Sequence, residues 1–400
     1  MRFHLLRWIA FGVFVISSTL NYLDRLLLNT LAPLIMLQLH FNQSDFGVLI
    51  SAFSIVYAAT SLIAGWFLDR VGVNRGISVA VSWWSAVGIA TGFVRGFGGL
   101  IFCRTALGIG ESAGVPAVGK LNAIYLKPEE RALGAAVNQI GLSLGAPIAA
   151  LFVGMAVSHG WRMPFVITGL CGLLWIPVWL VVNRAIPPPL AAEELAPNAK
   201  HETEFSILRD RSLILLVIAN VLWMGGYSLW SNWTTLYLTR VHHLTLQQSA
   251  RYVWIPPLIS NLGGFFGGWM SLRWIRNAMD PVTARRKAVW VSAGGFLITL
   301  ALPLASSAAS ATAIISLSFF FALAGSVNIY ALPIDIFGAA RSALAISALT
   351  CAFGILQTVI SPVIGFLSDH QLYTEVVWIV TIPAILGALV LTGVREKRPV

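Results

Sequence analysis

The chain has 400 residues, of which 57% are hydrophobic and 10% charged, and its formal net charge is +10. This composition excludes a soluble domain and indicates an integral membrane protein. The positive charge is concentrated between the apolar stretches, so it reflects membrane topology and attraction to anionic lipid and gives no support for nucleic-acid binding.

Taken in chain order, the apolar segments predict twelve spans, because a helix needs about 20 apolar residues to cross about 30 Å of hydrocarbon. Residues 8–37 and 98–121 are spans interrupted by a few charges. Residues 288–334 are too long for one span and turn at the small, polar stretch 305–311. The charge-free spans are residues 46–68, 76–94, 132–161, 163–183, 212–239, 252–272, 342–368 and 376–394.

The distribution of lysine and arginine predicts which side of the membrane each connection faces. An even number of spans places both termini on one side, and most lysines and arginines fall in connections on that side. Because positively charged connections stay in the cytoplasm, we expect both termini to be cytoplasmic. The first span lacks a small-residue cleavage site. We therefore expect a multi-pass plasma-membrane protein, in the bacterial inner membrane.

A polar segment divides the spans into two sets. Residues 184–211 carry three consecutive prolines and several glutamates, and we interpret them as a cytoplasmic linker. The flanking regions, residues 1–183 and 212–400, each hold six predicted spans. Residues 65–70 and 268–273 end the second span of each half with similar sequences. The prediction is an all-α membrane protein with twelve transmembrane helices in two pseudo-symmetric six-helix bundles, and with a site between them near the midplane.

Four charged side chains lie at predicted lipid depth: Asp24 and Arg25 in the first span, Arg104 and Glu111 in the fourth. A charge at the bilayer centre costs at least about 2.5 to 3.5 kcal/mol, so such residues mark candidate functional sites. Arg104 and Glu111 are two helical turns apart on one face, with a difference in depth of about 10 Å. No histidine lies near the middle of a span, so protons would have to be carried by the carboxylates. The structural alternative is two permanent ion pairs that fix helix register.

The connection between the second and third spans contains a motif formed by Gly65, Asp69, Arg70, Gly72 and Arg75. Gly72 permits a tight turn, and Asp69 can face helix N-termini and neighbouring arginines, which would latch one conformation. An ordinary solvated, positively charged loop is the alternative. The stretch resembles the signature loop of the major facilitator superfamily.

Within that superfamily the chain resembles the anion:cation symporters, which include bacterial galactonate and hexuronate carriers. The motifs are Asn21-Tyr22-Leu23-Asp24-Arg25 and Arg104-x3-Gly108-x-Gly110-Glu111. The resemblance implies that Asp24 and Glu111 are proton-coupling sites and that Arg25 and Arg104 bind the anion. It implies a proton-coupled symporter, not an enzyme, that imports a small organic anion such as a hexuronate or aldonate by alternating access. The proton gradient would supply the energy, with no cofactor or metal, and we expect a monomer.

The same resemblance suggests residues for the rest of the binding pocket. Tyr57 and Gln139 match family positions that contact the carboxylate or hydroxyls of a sugar acid. Hydrogen bonding between helices without a ligand is the alternative role for both. The candidates in the second half are Tyr227, Asn328, Thr350 and Gln357. The family often has an asparagine near the last two positions, and this departure leaves the identity of the anion open.

Two further patterns bear on function and packing. The stretch Gly141-x3-Gly145-Ala146-Pro147 resembles an antiporter motif, so a proton/drug antiporter is the alternative function. The paired Asp24 and Arg25 favour the symporter. The glycine pairs at residues 263–264 and 267–268 predict close helix packing.

Overall fold

The structure is a computed structural model that describes residues 2–126, 130–185 and 205–394, apart from a small number of side chains, that of Asp69 included. The regular structure of these residues is entirely helical. The helices of the first half are α1 (Arg2–Leu39), α2 (Gln43–Val71), α3 (Val73–Thr91), α4 (Phe97–Glu111), α5 (Gly114–Tyr125), α6 (Arg131–His159) and α7 (Arg162–Ala185). The helices of the second half are α8 (Arg211–Trp223), α9 (Gly225–Val241), α10 (Leu246–Ser249), α11 (Ile255–Arg276), α12 (Pro281–Phe296), α13 (Ala308–Asp369) and α14 (Tyr373–Val390).

Nine helices of the described residues are long and apolar enough to cross a membrane. Twelve spans were predicted from the sequence. The three predicted spans outside the nine are also helical, as α3, as α4 followed by α5, and as α11. A turn at Ser112 and Ala113 separates α4 from α5 and leaves two short helices, while α11 carries glycine pairs, an asparagine and two arginines that lower its apolarity.

The long helix α13 contains a break that divides it into two predicted spans. Gly338 has φ 73° and ψ 170°, which is not helical, so the chain changes direction there. Before α13, a 3-10 helix at Leu297–Leu304 ends at the small, polar stretch where the sequence predicted a turn. Ser307 then caps α13 by accepting a hydrogen bond from the backbone N–H of Ser310 at 3.1 Å.

The chain forms two compact units, and α2 contributes to both. The first unit comprises residues 1–41 and 52–200, and the second comprises residues 42–51 and 201–400. The predicted linker at residues 184–211 falls mostly on residues that lie outside the described part of the chain.

In the first unit, α1 packs along α6 and α3 packs along α7. Glycines permit the first of these contacts, because a Cβ on Gly141 would lie 2.4 Å from the side chain of Val15. Thr19 donates a hydrogen bond to the carbonyl oxygen of Gly141 at 2.9 Å across the same contact. The apolar core of this unit includes the fully buried rings of Trp84 and Trp179. The side of α1 that faces α6 is therefore in direct contact with that helix.

In the second unit, α13 packs against α11 and α12. A Cβ on Gly263 would lie 2.0 Å from the carbonyl oxygen of Phe320, and one on Gly267 would lie 2.2 Å from that of Ala324. The predicted close packing at these glycines is therefore observed. The first turn of α2 belongs to this unit, where Asp369 accepts hydrogen bonds from the backbone N–H groups of residues 43 and 44, both at 2.9 Å.

Candidate functional site

One face of α1 lines a cavity of about 330 Å³ within the first unit. The residues on this face follow helical spacing, so their side chains point the same way. The other walls come from α2, α3, α5 and α6. The polar lining residues are Ser17, Ser18, Asn21, Tyr22, Arg25, Tyr57, Asn138 and Gln139. A largely apolar cavity with a few convergent polar groups is typical of small-molecule sites.

Arg25 is the charged residue that lines this cavity. Its Nε donates to Oε2 of Glu111, which is fully buried at the end of α4. The Arg25 guanidinium also lies over two aromatic rings, at 4.8 Å from the Phe53 centroid and 4.5 Å from the Tyr57 centroid. Cation–π contacts and the buried carboxylate together offset the cost of burying the arginine. A quarter of the Arg25 side chain stays exposed, so an incoming anion can reach it.

Asp24 and Arg104 lie beside this pair but do not line the cavity. Asp24 is 3% exposed and within hydrogen-bonding reach of the Thr168 side chain on α7. Arg104 is 5% exposed and interacts electrostatically with both Asp24 and Glu111. The fold thus gathers the four charges that the sequence placed at lipid depth into one cluster, which we call the charge cluster.

Each carboxylate of the charge cluster keeps one oxygen unpaired. Oδ1 of Asp24 and Oε1 of Glu111 are buried and have no hydrogen-bond partner among the residues that the structure describes. A buried unpaired carboxylate oxygen is costly, and protonation removes part of that cost. These two oxygens are therefore candidate positions for a transported proton.

The structure brings Arg25, Tyr57 and Gln139 together at the cavity, as the family resemblance implied. Five further polar residues of the cavity wall were not selected as site residues from the sequence: Ser17, Ser18, Asn21, Tyr22 and Asn138. The available signal was the spacing of Asn21 one turn before Arg25, which places both on one helical face.

The four candidates of the second half do not come together at one place within the second unit. Tyr227 packs edge-on against Phe319 and Phe353, with centroids 5.2 and 5.9 Å away. The side-chain amide of Gln357 donates a hydrogen bond at 3.4 Å to the hydroxyl of Ser228, the residue that follows Tyr227. These two candidates therefore share one neighbourhood, on α9 and α13.

Thr350 and Asn328 are engaged with the protein itself. Thr350 donates to the carbonyl of Ile346 in its own helix at 3.0 Å. Asn328 is fully buried, and its amide donates to the carbonyl oxygens of Gly267 at 3.0 Å and Ala324 at 2.9 Å. The bond to Gly267 joins α11 to α13, so Asn328 has the contacts of a helix-packing residue.

The signature loop has the predicted turn. Gly72 has φ 84°, a conformation that side chains with a Cβ rarely adopt, and it separates α2 from α3. The Arg70 guanidinium lies 5.3 Å from the Trp66 ring centroid, and the Gly65 carbonyl accepts a hydrogen bond from Lys120 at 3.4 Å. Arg75 is exposed at the start of α3. The side chain of Asp69 lies outside the described part, so the predicted latch stays a prediction.

Comparison with known proteins places this architecture in a family. The sequence profile described as Major Facilitator Superfamily matches residues 14–332. The chain belongs to this superfamily. It is therefore a multi-pass membrane transporter of a small-molecule substrate, and the prediction of a transporter that is not an enzyme is confirmed.

Individual relatives cover most of the chain. It is 25% identical over 412 aligned positions to the hexuronate transporter of Escherichia coli strain K12, covering 98% of this chain and 95% of the relative. It is 28% identical to the galacturonate transporter of Dickeya chrysanthemi, covering 73% and 89% of the two chains. A solved bacterial homologue of the human lysosomal transporter Spinster has the same fold, with a TM-score of 0.79, 19% identity and coverage of 98% and 99%.

Proposed function

We propose that this protein is a proton-coupled symporter that imports a sugar acid, such as a hexuronate or an aldonate, by alternating access. The observation that carries the proposal is the position of Arg25, which lines the cavity while its guanidinium is paired with the buried Glu111. An arginine at a cavity wall is suited to bind a carboxylate through two parallel hydrogen bonds.

The charge balance of the cluster supports coupling of the anion to a proton. With both carboxylates ionised, Asp24 and Glu111 balance Arg25 and Arg104. A bound anion adds one negative charge to a poorly solvated site, where an unbalanced charge is expensive. Protonation of one carboxylate restores the balance. Anion and proton therefore favour each other's binding.

The Arg25–Glu111 ion pair would link proton binding to substrate binding. When Glu111 is protonated, its hold on Arg25 weakens and the guanidinium becomes available to the substrate carboxylate. When Glu111 loses its proton, it competes for the same guanidinium and promotes substrate release. Asp24, with its unpaired Oδ1 and its position beside Arg104, would serve as the second proton site.

The substrate class follows from the cavity and from the relatives. Tyr57 and Gln139 would contact the substrate together with Arg25, since all three line the cavity. The relatives named above are transporters of hexuronate and galacturonate. A guanidinium that lies over two aromatic rings at the wall favours an anion over a cation.

We extend the proposal to the arrangement in the membrane. Twelve spans in two six-helix bundles would place both termini in the cytoplasm, as the distribution of lysine and arginine predicts. The protein would work as a monomer in the bacterial inner membrane, driven by the proton gradient without a metal or cofactor. Among the described residues, no group of three or more histidines, cysteines or acids could hold a metal ion.

Uptake into proteoliposomes tests the proposal. Purified protein is reconstituted, and radiolabelled galacturonate is supplied outside with an acidic exterior and a neutral interior. We expect accumulation above the external concentration, abolished by a protonophore. Galacturonate transport that is the same with and without the pH gradient would exclude proton symport. Failure of every sugar acid, together with stabilisation of the purified protein by lipophilic cations, would instead support a proton/drug antiporter.

A further inference from the structure

Two buried amides in the cavity wall have atoms without a partner. Nδ2 of Asn21 and Oδ1 of Asn138 make no hydrogen bond within the part of the chain that the structure describes. Asn21 is 7% exposed and Asn138 is 6% exposed, and both line the cavity next to Arg25. Since buried polar atoms nearly always have a partner, a molecule in the cavity is one source of the missing partner for each amide.

The two unpaired atoms differ in hydrogen-bonding character. Nδ2 of Asn21 is a donor, whereas Oδ1 of Asn138 is an acceptor. A carboxylate can only accept, so it cannot serve Asn138. A hydroxyl group donates and accepts, and a molecule with several hydroxyls can serve both asparagines.

The positions of the asparagines fit a chain of hydroxyls that extends from a carboxylate. Asn21 lies one turn before Arg25 on α1, a rise of about 6 Å. Gly145 of α6 lies beside Tyr22 and Leu23, and Gly141 lies beside Val15. α1 and α6 therefore run parallel, and Asn138, one turn before Gly141, lies farther from Arg25 than Asn21 does.

Gly114 lies beside the Asn21 amide in the cavity wall. A Cβ built on Gly114 would lie 4.0 Å from Nδ2 of Asn21, and Gly114 itself lines the cavity. Because glycine has no side chain, the space beside the amide is not filled by this residue.

We infer that Asn21 and Asn138 form a subsite that recognises hydroxyl groups of the substrate, so that the transporter prefers polyhydroxylated acids to plain carboxylates. This inference rests on the proposed function, in which Arg25 binds the carboxylate. Arg25 would set the requirement for an anion. The two asparagines would set the requirement for hydroxyls along its carbon chain.

The experiment compares the variants Asn21→Leu and Asn138→Leu with wild type in proteoliposomes. Counterflow of labelled galacturonate is measured without a pH gradient, with unlabelled galacturonate and hexanoate as competitors. The control is Thr19→Val, because Thr19 lies on the same helix but bonds Gly141 and does not line the cavity. Asn21→Ala and Asn138→Ala are measured if a leucine variant does not fold, as judged by size-exclusion chromatography and thermal melting.

We expect each asparagine variant to raise the half-saturating concentration of galacturonate about 3- to 10-fold, the effect of one lost hydrogen bond. Inhibition by hexanoate should not weaken, so the preference for galacturonate falls, while Thr19→Val keeps the wild-type preference. Wild-type preference in all the asparagine variants would overturn the inference alone, since water would then satisfy both amides. Wild-type protein that transports no hydroxy acid would overturn the proposed function as well.

Discussion

Arg25 of α1 is paired with Glu111 at the last position of α4, 86 residues later in the chain. The pair places one charged group at the cavity wall and the other out of reach of solvent. One carboxylate therefore controls the arginine that is best placed to bind an anion. Under the proposed function, this relationship would make protonation and substrate binding parts of one event.

The first prediction concerns anion recognition. Arg25→Lys and Arg104→Lys should both fold, because the positive charge is retained, yet each should reduce galacturonate uptake. For Arg25→Lys we expect at least a 10-fold loss of affinity, about 1.4 kcal/mol, because an ammonium group lacks the planar fork of the guanidinium. Binding is measured by thermal shift and transport by uptake. Wild-type affinity and uptake in both variants would show that neither guanidinium is needed.

The second prediction concerns the carboxylates. Asp24→Asn and Glu111→Gln each remove a titratable group while retaining size and hydrogen-bonding capacity. Both variants should lose accumulation driven by a pH gradient, and at least one should still exchange substrate across the membrane without a gradient. Glu111→Gln is the better candidate for exchange, because it releases Arg25 while leaving that guanidinium partly exposed to the cavity.

Two transport measurements separate these effects. Uptake against a concentration gradient, with the exterior acidic, reports coupling, and counterflow at equal pH reports binding and exchange. If both amide variants accumulate substrate as well as wild type, protons do not travel through these residues, and a uniporter or another coupling ion takes the place of the symporter.

The third prediction concerns the packing of α11 against α13. Gly267→Ala should lower the melting temperature and the yield, because its Cβ would lie 2.2 Å from the Ala324 carbonyl oxygen and the helices would have to move apart. Overpacking of this kind costs about 1 to 3 kcal/mol. Gly268→Ala is the matched control, since no atom lies within 4 Å of its Cβ position. Equal melting temperatures for the two variants would contradict the observed helix contact.

The fourth prediction concerns the signature loop. Gly72→Ala should be destabilising by about 1 to 3 kcal/mol, because the backbone at φ 84° is strained for any residue with a Cβ. Gly65→Ala, within α2 of the same motif, should be neutral or stabilising by up to about 1 kcal/mol, because its Cβ position is open and alanine favours a helix. Thermal melting of the purified variants distinguishes the two glycines. A tolerated Gly72→Ala would mean that the turn adopts another conformation.

An all-helical membrane protein follows from the amino-acid sequence, because hydrophobic runs and buried charges are properties of single segments, while the transporter function followed from the resemblance to a family. The charge at lipid depth selected Arg25, and the family resemblance selected Tyr57 and Gln139. The fold brings all three to one cavity. Helix packing was needed to show that Glu111 pairs with Arg25, that Asn328 bonds to helix backbones, and that Asn21 and Asn138 line the cavity. The physical reason is that periodicity gives the face and depth of a residue on its own helix. Which face of another helix it meets depends on packing, such as the contact of Gly141 with Val15 that sets α6 against α1.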